Sequence, residues 1–483
     1  MIKETMVPAM STTQAQSPPP VKTRRRWWRW GVVALLAAAL VSAGVYVYFG
    51  FFSDRELREA IAEADRLDPG WYSADIEAAR KVVPDAENGA NLVMAARALM
   101  PPGWQAPLPN DAPTLIDRFA ELTPQERLKD ADRHELVVEL AKVKAALAKA
   151  RELADRPRGR YRVVWAPDRI GTLVPHVDDL HRVRPMLILD AALRADRGDG
   201  DGAVRTCQAI LNAGRSFGDE PAFISQFVRA SCAMQAVRTL EKTLAAGTAT
   251  LEVLEKLQRL LADESRHPYF LIGARAARVD YYDSLDAFRT RRVNRASYKM
   301  MSSIFGETAD EFVDASLAQA AIAAYLRYGT ALVEIAKQPT EVQEEKLEVL
   351  VPPDLRLPAL LEGLGMRRGD SMAKTARSFN RCLAEVRCAT AALAAERYRV
   401  TEKRWPANLD ALVPKYLDAV PNDPFDGRPL RIHRRPDGVV IYSVGPDRVD
   451  DGGKLDRKEP GSVGSDIGFQ LWNPEKRAAL QGP

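Results

Sequence analysis

Apolar positions change rhythm along this chain, and each change marks a different element. From Gly31 to Phe52 (GVVALLAAALVSAGVYVYFGFF) no charged residue intervenes, and a helix of that length reaches across the ~30 Å hydrocarbon core of a bilayer. Arg24, Arg25, Arg26 and Arg29 crowd its N-terminal flank beside Trp27, Trp28 and Trp30, whereas Asp54 and Glu56 offset Arg55 beyond the other end. That bias predicts a single-pass signal-anchor, a transmembrane helix over 31–52 with the N-terminus cytoplasmic and the bulk of the chain extracytoplasmic. Val41-Ser42-Ala43 imitates a signal-peptidase site, but the apolar run continues past it, so anchoring is favoured over cleavage. Residues 1–30, basic and carrying the polar run STTQAQSPPP, read as a disordered cytoplasmic tail, and 53–120 as a juxtamembrane segment.

The rhythm then becomes helical. Thr123-Pro124-Gln125-Glu126 has the form of a capping box, and Leu128, Leu136, Val137, Leu140, Val143 and Leu147 extend one apolar face beyond it. Further helices are predicted from about Val177 to Ala195, Ala203 to Ala213 and Phe223 to Ala246, separated by Gly/Asp turns; Leu251 to Leu261 carries the next. Paired helices of this size over 121–350 resemble tetratricopeptide-like hairpins in architecture, without a fixed repeat period.

Composition narrows the function classes. A chain of 483 residues, 46% hydrophobic and 28% charged, is globular in bulk. Its net charge of +4 is too small to imply a nucleic-acid partner. Of four cysteines, Cys382 and Cys388 stand six apart on one predicted helix, too far for a bridge. Cys207 and Cys232 leave two readings open, a disulfide or two small buried hydrophobes. Asp199-Gly200-Asp201-Gly202 reads as a turn, because Ala203 and Ile210 occupy positions where a calcium loop needs oxygen ligands. His176 and His181 have i,i+5 spacing, which does not put both on one helical face as a metal pair would require. The cluster Arg289, Arg291, Arg292, Arg295 and Lys299 reads as a solvated helix face.

A Pro- and Gly-rich linker, 351–369, separates the array from a last unit, 370–483. There a helix from about Ser371 to Arg399 leads into Arg404-Trp405-Pro406-Ala407-Asn408-Leu409-Asp410-Ala411-Leu412-Val413. Asn422-Asp423-Pro424-Phe425-Asp426-Gly427-Arg428-Pro429 follows, then a hairpin turning at Pro436-Asp437-Gly438, then Tyr442-Ser443-Val444-Gly445-Pro446-Asp447. This series resembles the C-terminal domain of the type II secretion major pseudopilin over about a hundred residues. The resemblance implies a small α+β module stapled by calcium, with Asp447 and Asp466 as ligands and the carbonyls of Val444 and Val449 assisting. Asp450, Asp451 and Asp456 add hard oxygen donors of the kind Ca²⁺ takes.

The expected protein is therefore mainly α: a single N-terminal transmembrane helix, an α-hairpin array and a pseudopilin-like α+β C-terminal module. Its expected role is that of a non-catalytic, membrane-anchored envelope scaffold or interaction protein, with a protein partner the sequence does not identify. The alternatives are an extracytoplasmic hydrolase, with Asp178, Asp179 or the acids of the C-terminal loop as its carboxylates, and a secretion-system accessory protein.

Overall fold

Long amphipathic segments with few β-branched runs give a chain dominated by helices. The architecture comes from a computed structural model that describes residues 24–104, 113–169, 171–290, 292, 315–353 and 368–477. Most of the tail expected over 1–30, the linker expected over 351–369 and the basic cluster after Arg292 lie outside those residues. Contacts divide the chain into two units, Met1–Arg55 and Glu56–Pro483. The described residues hold fourteen α-helices: α1 (Arg24–Leu67), α2 (Ser73–Ala79), α3 (Gly89–Ala98), α4 (Leu115–Glu121), α5 (Asp130–Lys142), α6 (Lys144–Arg151) and α7 (Pro175–Asp196) come first. Then follow α8 (Gly200–Arg215), α9 (Phe223–Ala246), α10 (Leu251–Glu264), α11 (Tyr269–Arg289), α12 (Ala315–Ala336), α13 (Thr340–Glu348) and α14 (Arg368–Glu402). Strands β1 (Arg431–Arg435), β2 (Gly438–Ser443) and β3 (Ile467–Trp472) form one antiparallel sheet in the order β1-β2-β3.

The membrane expectation is overturned. Among the described residues no helix is long and apolar enough to cross a membrane. The apolar run is not an element of its own: α1 continues through Asp54, Arg55, Glu56, Arg58 and Glu59 to Leu67. The signal-anchor and its single-pass topology lapse with that expectation. Within the segment 53–120, Ala60 and Ala64 of α1 pack with Trp71, Val279 and Leu326, and Asp68 is held by Arg275 (2.6 Å) and Arg278 (2.6 Å).

The predicted middle helices form within a few residues of their expected ends, with one displacement. The Thr123 capping box closes an isolated turn, Glu126 accepting from the Thr123 backbone N–H (3.2 Å), and the helix begins only at Asp130, where Asp130 and Asp132 favour its N-terminus. Asp199 is a helix cap, accepting from the Gly202 N–H at 2.9 Å. Helices α8 and α9 approach closely at Gly214, where a Cβ would meet the Cys232 Cβ at 2.6 Å. All four cysteines are buried and free, so Cys207 and Cys232 are small buried hydrophobes, and burial pushes the Cys207 thiol up to about 12.

A buried ionic hub ties the array. Glu264, wholly buried at the end of α10, accepts from Arg229 Nε (2.7 Å) and Nη2 (2.7 Å), Arg215 Nη1 (3.0 Å) and the Tyr269 hydroxyl (2.5 Å). The same guanidiniums donate to loop carbonyls, Arg215 to Pro157 (2.9 Å) and Arg229 to Gly218 (2.8 Å). One carboxylate thus joins α8, α9, α10 and α11. Burial alone would raise its pKa, but Arg229 and Arg215 outweigh that and bring it down to about 2.

The C-terminal sheet rests on the same apolar core. β2 is buried along its whole length, and β3 packs on α14 and α9. β3 is an edge strand, and its outward Gln470 N–H is accepted by Glu241 of α9 at 2.6 Å. Sequence reading missed β3, because the loop before it hides its pairing with β2.

Glu264→Gln should cost about 3–5 kcal/mol in chemical denaturation at pH 7, since it leaves two buried guanidiniums without their charge partner. The folded pKa of about 2 lies below the ordinary 4.5, so this group's stabilisation is complete above pH 4.5 and is lost as the pH falls towards 2. The variant should show a shallower loss over that window, read from denaturation midpoints at successive pH values.

Candidate functional site

The residues expected to hold calcium lie in the loop between β2 and β3, where most of their oxygens are taken by the chain itself. Asp447 accepts from the N–H groups of Val449 (3.1 Å) and Gly464 (3.3 Å). Asp466, almost wholly buried, accepts from Gly453 (2.8 Å) and Asp451 (3.4 Å) N–H groups. Asp450 accepts from the Tyr442 hydroxyl (3.0 Å) and the Gly452 N–H (3.0 Å) and faces Arg431 (3.4 Å). The Val444 N–H donates to Asp423 (2.8 Å), and Val449 is exposed. Asp451 Oδ2 is buried with no hydrogen-bond partner among the described residues. No group of three or more Asp, Glu, His or Cys among the described residues is placed to hold a metal ion. Among the described residues the loop is organised by Asx-type bonds from its carboxylates to its own backbone.

Asp423 does more in this module than the residues singled out from sequence. It is buried, and it accepts from the Phe425 N–H (3.0 Å), the Ser443 hydroxyl (2.7 Å), the Val444 N–H (2.8 Å) and Arg431 (3.1 Å). It therefore fixes the turn at 423–427 to the end of β2. The Asn-Asp-Pro-Phe-Asp-Gly string was the available signal.

The carboxylates suspected of hydrolysis sit in arginine pairs, Asp178 with Arg182 (3.1 Å) and Asp179 with Arg97 (3.7 Å). His176 lies buried against Glu220 (2.9 Å) and stacks on Tyr161 with centroids 4.2 Å apart.

Titratable groups meet open space at the seam between α9 and the C-terminal sheet. Two adjoining cavities run along α9. Both are lined by Phe119, Leu122, Pro124, Thr239 and Lys242. Lys242 Nζ caps the end of α4, donating to the carbonyls of Phe119 (2.5 Å) and Ala120 (3.4 Å), and lies 4.3 Å from the Phe119 ring centroid. Burial lowers its pKa to about 8; Glu241 and Glu126 oppose that shift, while Arg238 and Arg457 reinforce it. The larger cavity is walled on the far side by Leu455, Asp456, Arg457, Asp466 and Ile467. There Arg457 pairs with Glu241 (2.5 Å), and Arg238 pairs with Glu385 of α14 (2.8 Å). The sequence singled out Pro124, Asp456 and Asp466 for other roles and did not bring them together with residues 119, 242, 385 and 457, which become neighbours only through folding.

Burial raises the Asp466 pKa to about 6, its two backbone donors only partly offsetting this. A raised acid pKa stabilises the fold below the ordinary 3.8 and loses that contribution as the pH rises through 6. Between pH 4 and pH 7, wild type should therefore lose stability relative to Asp466→Asn, by about 1 kcal/mol once solvent screening is allowed for, as measured by urea unfolding of both proteins.

Compared with known proteins, the chain matches no family model, no curated protein and no solved structure.

Proposed function

We propose that this chain is a non-catalytic interaction protein: a helical scaffold that binds a partner in the cleft between α9 and the C-terminal sheet. The observation that carries the reading is the construction of that cleft. Its walls come from parts of the chain more than a hundred residues apart, and ion pairs fix them to one another: Arg457 to Glu241, and Arg238 to Glu385. Arg477 adds a third tie, reaching Glu396 (2.8 Å) and the Gly247 carbonyl (3.1 Å). A rigidly walled concavity suits binding, since little ordering remains to be done when a partner arrives. Asp178 and Asp179 are paired with arginines, and Asp447, Asp450 and Asp466 accept from backbone N–H groups, which favours binding over the hydrolytic alternative. The order of one long helix followed by an antiparallel hairpin supports reading the C-terminal module as pseudopilin-like in form; form alone does not assign a role.

A photo-crosslinking residue at Gln235, inside the cleft, should give a discrete adduct in cells that make the protein, and Lys242→Glu should abolish it. The same residue at Val164, which is 79% exposed and outside the cleft, should give none. Matching adduct patterns from both positions, or none from either, would overturn the reading.

A further inference from the structure

The two cavities share a short wall, and the polar groups on it are donors. Thr239 and Lys242 stand three apart on α9 and so lie on one face of the helix. Thr239 is 1% exposed, yet its hydroxyl has no hydrogen-bond partner among the described residues. A buried hydroxyl in that state is costly, and the residue that carries it borders both cavities. Lys242 has three N–H donors, of which the Phe119 and Ala120 carbonyls take two.

Charge around this wall favours an incoming anion. Each acid there is already engaged: Glu241 by Arg457, Glu385 by Arg238, Asp196 by Arg133, Glu126 by the Thr123 N–H, Asp456 by the Lys458 N–H and Asp466 by the Gly453 N–H. Among the described residues Lys242 makes no ion pair with a carboxylate. A hydroxyl and an ammonium with donors to spare, flanked by the apolar surfaces of Phe119, Leu122 and Pro124, form a site for a carboxylate attached to an apolar group.

The rest of the cleft says what else that ligand must carry. Beyond the shared wall stand Gln235, Arg238, Asp456 and Arg457. An acyl chain would leave those groups facing hydrocarbon, whereas a peptide backbone offers them amides and carbonyls. We propose that Lys242 and Thr239 receive the C-terminal carboxylate of a partner polypeptide whose last residue is apolar, with the preceding residues running along the cleft. This proposal rests on the cleft being the binding surface, and it names the chemistry recognised there.

Fluorescence anisotropy of the full chain with fluorescein-labelled Gly-Ser-Gly-Ser-Ala-Leu tests it, the peptide being made once with a free C-terminus and once as the C-terminal amide. The free acid should bind about 10- to 100-fold more tightly than the amide, the range expected for a charge-assisted hydrogen bond. Lys242→Met should remove that preference. Thr239→Val is nearly isosteric and deletes only the unpartnered hydroxyl, so it should reduce the preference in a protein that melts no lower than wild type; it keeps the test decisive if Lys242→Met fails to fold. Equal affinities for acid and amide, binding of neither peptide, or a preference that survives both substitutions would overturn the proposal. Saturable uptake of dodecanoate in place of either peptide would assign the wall to a lipid carboxylate and overturn it as well. Should the peptides fail while the Gln235 adduct persists, the cleft keeps its role and only the ligand chemistry falls.

Discussion

A carboxylate with no exposure to water, Glu264, can stay ionised only if the surrounding chain supplies positive charge and hydrogen bonds in full. Arg229 in bidentate contact, Arg215 and the Tyr269 hydroxyl do so, and each comes from a different helix. Removing any one of them leaves a charge or donor stranded where water cannot reach it, and such stranding costs several times what an exposed ion pair contributes. The relative placement of α8, α9, α10 and α11 is therefore tightly constrained. Since α9 carries Thr239, Glu241 and Lys242 farther along its length, the hub also sets where the cleft wall stands.

The second constraint is the edge of the small sheet. Three strands alone form a marginal unit, and their stability here comes from packing against α14 and α9. Glu241 closes the exposed side of β3 by accepting from Gln470, and its pairing with Arg457 draws the preceding loop onto α9. The cleft is the space left between that loop, α9 and the turn at 123–126. Its shape follows from ties that serve stability, and its unsatisfied donors are what remain after those ties are made.

Local signals were read correctly where the physics is local. Helices α8, α9 and α10 follow from apolar spacing bounded by Gly, Asp and Pro, and the hairpin of β1 and β2 follows from Pro436-Asp437-Gly438. The Thr123 box shows the limit of this approach: its reciprocal bond forms, but the helix starts later. The apolar stretch after Gly31 shows another limit, since hydropathy does not say where a helix ends, and α1 runs on into charged residues. In the C-terminal loop, composition showed a cluster of aspartates, but their engagement with the N–H groups of Val449, Gly453 and Gly464 depends on loop geometry that composition does not encode.

The sequence by itself determined that the chain is mainly helical, roughly where its middle helices begin and end, and that a helix and hairpin close the C-terminal part, because helix periodicity, caps and turn residues act over a few positions. Only the tertiary structure decided which buried acids meet which arginines, that Asp423 and not Asp447 organises the last module, and that Phe119, Thr239, Lys242, Glu385 and Arg457 surround one space. Those neighbours are separated by up to hundreds of positions, and their meeting is fixed by the simultaneous packing of apolar faces and the pairing of charges that packing removes from water.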